Sequence, residues 1–436
     1  MGQETISQKC DVAIIGTGPY GLSLAAHLGR TGIDFRIFGK PMDLWRNHMP
    51  KGMMLKSEGF ASNLSAPGGK SRLKDYCRIH GIAYAEQGLP IPLDDFIAYA
   101  DWFTARHVSN LTEEMVTRLE RHGAGFLLTL EDGARVAAQN VVLAVGITWF
   151  PVVPKEVSHL PSSLVTHSYD HRVVDQFVGR SVVVVGAGAS AVNLAYELNE
   201  VGAGVSLLVR GQEVEYHAPP EERISSSFHK LRNPASPIGP GWRSFFCASL
   251  PGLFYHLPVK MRLRAVRSHL RPAAGWYMRE KVESQVPIIL GKSIKKGEDC
   301  GGKLSLHLSD GSRFNCDHLI AATGYRTDLQ RLAFLSDDIR ELISRPDCML
   351  NVGRDFQTSL EGLYVVGPMI MENFGPLLRF MAGAGFAARR LTRIFRRKRM
   401  IHLFHPWLGG AHDIVRPESN GVLPLTASYL VKKHRN

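Results

Sequence analysis

The chain has 436 residues, 44% of them hydrophobic and 21% charged, ordinary values for a globular protein with room for two or three domains. No run approaches the ~20 apolar residues of a membrane span. The start, MGQETISQKC, lacks the basic and apolar regions of a secretory leader, so cytoplasmic residence is the expectation.

The net charge is +12, which by itself suits polyanions. Six cysteines (Cys10, Cys77, Cys247, Cys300, Cys316, Cys348) are scattered without a C-x-x-C pair. That pattern argues against a disulfide framework, a zinc knuckle and a redox dithiol.

The first element is a short β-type run, Cys10–Ile15, that passes into Gly16-Thr17-Gly18-Pro19-Tyr20-Gly21. Apolar residues at helical spacing follow from Pro19 to about Arg30, with Gly32 expected to end the helix, and Ile33–Phe38 reads as the next strand. In such a unit the first glycine permits a tight turn. The second lets backbone approach a pyrophosphate, and the third lets helix and strand pack closely. The helix start adds unpaired N–H groups and the positive dipole end. Gly16, Gly18, Pro19, Tyr20 and Gly21 are therefore expected to bind a dinucleotide. The ribose-binding acid usual after the second strand is missing, since the sequence runs Phe38-Gly39-Lys40, which leaves backbone or Lys40 for that task.

A second unit of the same kind follows a proline-punctuated crossover, Phe150–Pro161. Ser181–Val185 is a buried strand, Ala189–Val201 a helix and Val205–Val209 a strand, around Gly186-Ala187-Gly188-Ala189-Ser190-Ala191. Gly186, Gly188, Ala189 and Ser190 are expected at the second pyrophosphate. Arg210 stands where an NAD site would place an acid, and a guanidinium there suits the 2′-phosphate of NADPH.

The chain also echoes itself. Gly125–Gly146 aligns without a gap on Lys303–Gly324, each copy reading strand, Asp-Gly turn, return strand and an apolar strand ending in glycine. The Asp132-Gly133 and Asp310-Gly311 turns are expected to be of type I′. The fold class that emerges is α/β, with two Rossmann-like dinucleotide-binding domains and a helical insertion. Residues 8–150 and 316–400 form the first, discontinuous domain, and 151–315 the second. The insertion occupies about 211–286, and 401–436 form a tail.

Met261–Leu270 in the insertion is basic and amphipathic, and Arg389–Arg399 (RRLTRIFRRKR) is a basic run. The insertion reads as helical and near the substrate, with a membrane-surface patch as the rival, and the basic run reads as a solvated helix end, with peripheral membrane or partner contact as the rival. Two nucleotide cofactors account for a basic chain without nucleic acid as partner. His217, His229 and His256 of the insertion fall at no metal-ligand spacing, and no metal site is expected.

These motifs resemble those of the single-component, NADPH-dependent flavoprotein monooxygenases: flavin-containing, Baeyer–Villiger and N-hydroxylating enzymes. The resemblance runs from Asp11 to about Arg396 and implies a glutathione-reductase-like FAD/NAD(P) fold. The G-x-G-x-S-A form at Gly186–Ala191 is typical of that NADPH turn, and Trp45 looks like the tryptophan that lies along FAD. Ala322-Thr323-Gly324-Tyr325 is similar to the A-T-G-Y signature of N-hydroxylating members. Phe150 and His167 resemble the aromatic-then-histidine linker. Leu363–Pro368 with the following NFGPLLRF looks like the second FAD segment, with Pro368 in place of its usual aspartate. The resemblance thereby implies cofactor contacts at Trp45, Gly146, Thr323, Gly324, Tyr325, Gly367, Phe374 and Gly375. It implies an amide, Asn63, near the flavin or its peroxide, with Ser57 and Ser62 beside it.

The chemistry implied is FAD reduction by NADPH, formation of a C4a-(hydro)peroxyflavin with O₂, and oxygenation of a small molecule, N-hydroxylation of an amine being the favoured branch. Two other classes stay open. One is an NADPH-dependent flavin oxidoreductase without oxygen insertion; the other is a nucleotide-binding regulator.

Overall fold

The computed structural model describes residues 6–218, 231–269, 271–343, 350 and 352–408. Strand β1 (Gln8–Ile15) is exposed at its start and buried from Val12 to Ile15, the continuous apolar run of a strand covered on both faces. It leads into helix α1 (Pro19–Leu28) and strand β2 (Phe35–Phe38), which pairs parallel to β1. The helix ends earlier than expected, with Gly29 as cap, and Gly32 sits in the connecting turn at φ +69°.

A short helix α2 (Asp43–Asn47) comes next. A two-stranded ribbon of β3 (Met54–Leu55) and β4 (Ile91–Pro92) brackets α3 (Leu73–His80), and α4 (Leu93–His107) follows. Then come β5 (Leu111–Thr112), β6 (Val116–His122), β7 (Gly125–Leu130) and β8 (Arg135–Leu143). The resulting sheet runs β5-β2-β1-β8-β7-β6.

The second half repeats the scheme. Strands β9 (Val165–His167), β10 (Ser181–Val185), β11 (Gly204–Val209), β12 (Ile288–Leu290) and β16 (His318–Ala321) form a parallel sheet in the order β12-β11-β10-β16-β9. Helix α5 (Ala189–Glu200) connects β10 to β11. Val182, Val183 and Val184 are buried, and at roughly 1.5–3 kcal/mol for each fully buried side chain they make β10 a strong nucleus of this layer. Strands β13 (Ile294–Asp299), β14 (Leu304–Leu308) and β15 (Arg313–Cys316) form a separate antiparallel sheet.

The described part of the insertion carries four helices, α6 (Trp242–Ser249), α7 (Pro251–Phe254), α8 (Val259–His269) and α9 (Arg279–Gln285), joined by irregular segments. Residues 219–230 and 270 of it, with His229, lie outside the described residues. After α10 (Asp337–Ile343) the chain returns to the first sheet as β17 (Leu363–Val365), parallel to β8. A short α11 (Met371–Phe374) and the long α12 (Ala384–Leu408) follow. Pro376 opens a 3-10 turn, Pro376–Arg379, between them. The packed unit spans Met1–Arg396. Residues 409–436 of the expected tail lie outside the described residues.

Two expectations need correcting in detail. In both Asp-Gly hairpins only the glycine has positive φ, +85° at Gly133 and +83° at Gly311. The turn closes from Gly133 N–H to Leu130 C=O at 3.1 Å, and from Gly311 N–H to Leu308 C=O at 3.1 Å. This is a turn with its glycine in a left-handed bulge rather than type I′, which needs positive φ at two successive residues. The echoed segments also differ. The first has one continuous return strand, β8, whereas the second breaks into β15 and β16. At the break Asp317 turns its carboxylate to accept the Ser181 N–H at 2.8 Å.

Candidate functional site

The two glycine turns are built alike, atom for atom. Gly16 (φ +112°) and Gly186 (φ +148°) each follow a strand, β1 or β10, that has a parallel neighbour on both sides. A Cβ on Gly16 would stand 2.4 Å from the Ala144 carbonyl oxygen, and one on Gly186 would stand 2.4 Å from that of Ala322. Gly16 N–H donates to Phe38 C=O at 2.9 Å, and Gly186 N–H to Leu208 C=O at 3.0 Å. Ala144 N–H donates to Ile15 C=O at 2.8 Å, and Ala322 N–H to Val185 C=O at 2.9 Å. Ala144 and Ala322 are the matching positions of the sequence echo. Sequence reasoning did not assign them this role, although the ungapped alignment carried the signal.

Each turn also leaves an open cradle. A Cβ on Gly18 would meet nothing within 4 Å, and one on Gly188 only the Pro272 ring at 3.7 Å. Both are helix N-caps without a side-chain cap bond, so the first N–H groups of α1 and α5 are presented to that space with the positive dipole end. A dinucleotide pyrophosphate fits this combination. At the third position, a Cβ on Gly21 would collide with the Gly16 carbonyl at 1.9 Å. Its counterpart Ala191 is fully buried, and a Cβ on Gly186 would lie 3.1 Å from its methyl.

Around the first turn, Pro19 occupies the first helical position. Tyr20 points inward: its hydroxyl donates to Leu378 C=O at 2.8 Å and Phe380 C=O at 2.9 Å. A Cβ on Gly367 would rest 3.5 Å from the Tyr20 ring. The side chain of Tyr20 thus ties the first turn to the segment after β17. Gly39 has φ +128°, a conformation that disfavours any acid there, and Lys40 is exposed beside it. Gly146 (φ +65°) follows β8 with open space around it. Trp45 is half-buried on α2, its ring 5.0 Å from Phe96.

The loop carrying Asn63 is closed on itself. Asn63 Oδ1 accepts the Leu73 N–H at 2.9 Å, and its Nδ2 donates to Phe60 C=O at 2.8 Å. The Ser57 and Ser62 hydroxyls bond each other at 2.7 Å. The amide staples a 3-10 turn to the start of α3, so both of its ends are already engaged by backbone.

The connections between the sheets pair with one another. Val152 N–H donates to Gly324 C=O at 3.0 Å, Arg326 N–H donates to Phe150 C=O at 2.9 Å, and Pro151 bridges Tyr325 antiparallel. The Thr323 hydroxyl donates to Val152 C=O. His167 is fixed here: Tyr169 N–H donates to its Nδ1 at 3.0 Å, so Nε2 carries the proton and donates to Gly324 C=O at 3.1 Å. Burial lowers its pKa, and the neutral ring acts as a positioning contact.

Around the second turn, Ala189 and Ser190 are half-buried and Arg210 is exposed just past β11. Phe374 and Gly375 lie where α7 meets α11. The Tyr255 and Phe374 rings stand 5.1 Å apart, and a Cβ on Gly375 would touch the Phe254 ring at 3.2 Å. Two cations were not foreseen. Lys56 is exposed along its length, its Nζ donates to Ala273 C=O at 2.9 Å, and loss of water around that ammonium, reinforced by the Arg379 cation, pushes its pKa down to about 8. They lie 323 residues apart, and no local pattern joins them.

Burial pushes the thiols of Cys10 and Cys316 up to about 12, far from the thiolate that disulfide exchange needs. Cys10, Cys77, Cys247, Cys300 and Cys316 are all unbridged. Among the described residues no group of three or more His, Cys, Asp or Glu could hold a metal ion, and no helix is long and apolar enough to cross a membrane. A surface cavity of about 580 Å³ lies against Lys70, Arg72, Lys74, Arg78, Trp102 and Arg106, and none of the glycine-turn residues lines it.

Residues 10–231 match the family described as pyridine nucleotide-disulphide oxidoreductase. The chain is 24% identical over 424 residues to the probable indole-3-pyruvate monooxygenase YUCCA3 of Arabidopsis thaliana, covering 89% of this chain and 90% of that protein. Among solved structures it resembles the ornithine N-hydroxylase of Kutzneria sp. 744, with TM-score 0.71 and 14% identity over 90% of this chain and all of the other. It also resembles the bacillithiol disulfide reductase of Staphylococcus aureus, with TM-score 0.60 and 18% identity over 90% of this chain and 99% of that one. The fold common to these is the Rossmann-type, two-dinucleotide architecture described above.

Proposed function

Because the chain belongs to the pyridine nucleotide-disulphide oxidoreductase family, we propose that it is an FAD-dependent, NADPH-using monooxygenase. It takes dioxygen and a small molecule as substrates and works in the cytoplasm. The observation that carries this reading is the duplicated cradle, in which Gly16 against Ala144 and Gly186 against Ala322 leave two open helix starts. The likeness to an indole-3-pyruvate monooxygenase and an ornithine N-hydroxylase supports oxygen insertion, and the buried Cys10 and Cys316 thiols speak against disulfide exchange at those residues. Amine N-hydroxylation is the favoured branch.

When bound, the nicotinamide supplies hydride and the flavin supplies the chemistry of dioxygen activation. The chain's own residues bind, orient and seal. Gly16, Gly18, Pro19 and Gly21, with the α1 N–H groups, hold the FAD pyrophosphate. Tyr20 braces this turn, and Lys40 faces the adenosine end. Trp45, Gly146, Gly367, Phe374 and Gly375 line the flavin side. Asn63 holds the loop beside it by its backbone bonds, and the remaining N–H of its amide is the group proposed to face the flavin or its oxygen adduct. Gly186, Gly188, Ala189 and Ser190 take the NADPH pyrophosphate, and Arg210 pairs with the 2′-phosphate. Thr323, Gly324 and Tyr325 set the spacing of the two sites through the paired crossovers. Residues 8–150 with 316–400, and 151–315, are the two domains of this assignment.

The test is a purified sample reconstituted with FAD and given NADPH under air and under argon, with amines and 2-oxo acids as candidate substrates. The proposal requires FAD retention, flavin reduction by NADPH, and substrate-dependent NADPH loss that leaves no equivalent of hydrogen peroxide. Anaerobic reduction with electron transfer only to dyes would make it a reductase, and no reduction at all would make it a binding protein.

A further inference from the structure

Residues 223–279 contain ten Lys and Arg and not one Asp or Glu. In the middle of this stretch the insertion is apolar on two sides. Inward, Cys247, Phe254 and Val266 form a small core that packs against Met371. Outward, Trp242 (45% exposed), Phe246 (52%), Leu250 (44%), Leu253 (62%), Leu257 (38%), Val259 (46%) and Met261 (56%) stand in solvent. Trp242 and Phe246 lie one turn apart on α6 with ring centroids at 5.6 Å. Arg243, Lys260, Arg264 and Arg267 are exposed among them. Isolated exposed apolar residues are ordinary, but a run of seven within 20 residues marks an interaction surface.

We propose that this face, Trp242 to Arg267, docks on an anionic lipid bilayer. Insertion of aromatic and aliphatic side chains into the headgroup boundary, flanked by cations that pair with anionic lipids, is the chemistry of a peripheral membrane surface. Trp242 suits the interface, because its ring is apolar and its N–H finds polar partners there. Charge decides between occupants. Face-to-face pairing with a second copy would bring together two cationic segments that carry no acid of their own, whereas anionic headgroups supply the counter-charge. The face is continuous with the candidate site, since Phe254 touches Gly375 and Tyr255 touches Phe374. The docked chain therefore holds that wall of the site against the bilayer. The inference stands on the surface alone and does not depend on the oxygenase reading.

The experiment uses the full, FAD-loaded chain and sedimentation with two kinds of vesicle: phosphatidylcholine alone, and phosphatidylcholine with phosphatidylglycerol. The wild type is expected to sediment with the anionic vesicles, and far less with the neutral ones. The paired substitution Phe246→Glu with Leu253→Glu is expected to weaken this binding by about a hundredfold, from the loss of two apolar anchors, while flavin content and Tm stay unchanged. Should that variant fold poorly, quenching by brominated lipid that is present in the wild type and lost in Trp242→Phe gives the same answer. The proposal is overturned if the paired variant binds as the wild type does, or if Lys70→Glu with Lys74→Glu on the far cavity abolishes binding instead. It is equally overturned if no vesicle binding occurs and the paired variant converts a dimer to a monomer, which would make the face an interface between copies.

Discussion

The hydroxyl of Tyr20 donates to the carbonyl of Leu378 at 2.8 Å, joining residues 358 positions apart, and reaches Phe380 C=O at 2.9 Å as well. The first helix of the chain is thereby anchored to the turn that follows β17. Tyr20→Phe takes this donor from the buried Leu378 carbonyl, while Phe380 C=O keeps the Gly383 N–H at 3.1 Å, and a cost of about 1–3 kcal/mol is expected. Thermal unfolding should show it directly. Flavin release should accelerate in parallel, because the same bond holds both sides of the proposed flavin site.

Gly186 and Gly188 separate folding from binding. Gly186→Ala forces a methyl to within 2.4 Å of the Ala322 carbonyl at φ +148° and is expected to destabilise the second sheet. Gly188→Ala meets only the Pro272 ring at 3.7 Å, so its Tm should stay within a few degrees of wild type, while its methyl occupies the pyrophosphate cradle. A rise in the KM for NADPH of roughly tenfold or more, with flavin content intact, is the expected signature. Equal NADPH kinetics in wild type and Gly188→Ala would remove the nucleotide from this turn.

Arg210→Glu should invert the nucleotide preference. The exposed guanidinium is placed to meet a 2′-phosphate, and a carboxylate would repel it while accepting a bond from the 2′-hydroxyl of NADH. A fall of about tenfold or more in kcat/KM for NADPH relative to NADH is expected. Steady-state kinetics with both nucleotides checks it.

The fold should weaken in mild acid. Burial holds His171 at about 4, helped by its neighbour His318, and burial likewise holds His27 at about 4, with Arg389 adding to it. The folded state therefore binds fewer protons than the unfolded chain, whose imidazoles titrate near 6.5. Stability is full above pH 6.5 and falls as the pH drops toward 4, by up to about 3 kcal/mol for a group displaced that far. Denaturant titrations across this range should show the slope. It should flatten in His171→Gln, where a side chain that does not titrate still meets the Thr166 hydroxyl.

Asn63→Ala tests the staple. Losing both backbone bonds of the amide is expected to lower Tm and loosen the start of α3. With flavin saturating, the reduction rate should change little.

What could be read in advance followed from steric necessity. Gly16, Gly21 and Gly186 are places where a side chain would strike backbone oxygen, and that demand leaves its mark on the sequence whatever surrounds it. The valine run Val182–Val185 and the doubled hairpin were legible for a related reason, since period and spacing are local. Tyr20 and Leu378, or Lys56 and Arg379, meet only because distant segments fold together, and no window along the chain records that. The type of Asn63 suits a flavin contact, but its backbone partners, Leu73 N–H and Phe60 C=O, depend on where a loop closes and could not be read. The break at Asp317 was equally hidden, since a carboxylate capping the neighbouring Ser181 looks in sequence like any surface acid.

The pairing of Val152 with Gly324 and of Pro151 with Tyr325 means that the outgoing and returning strands form a single ribbon instead of two separate tethers. Twist applied to one is handed to the other through the ladder between them, so neither sheet can swing without bending both. A chain nicked at one crossover would keep its halves in register through the survivor, making this ribbon both the axle and the clasp of the molecule.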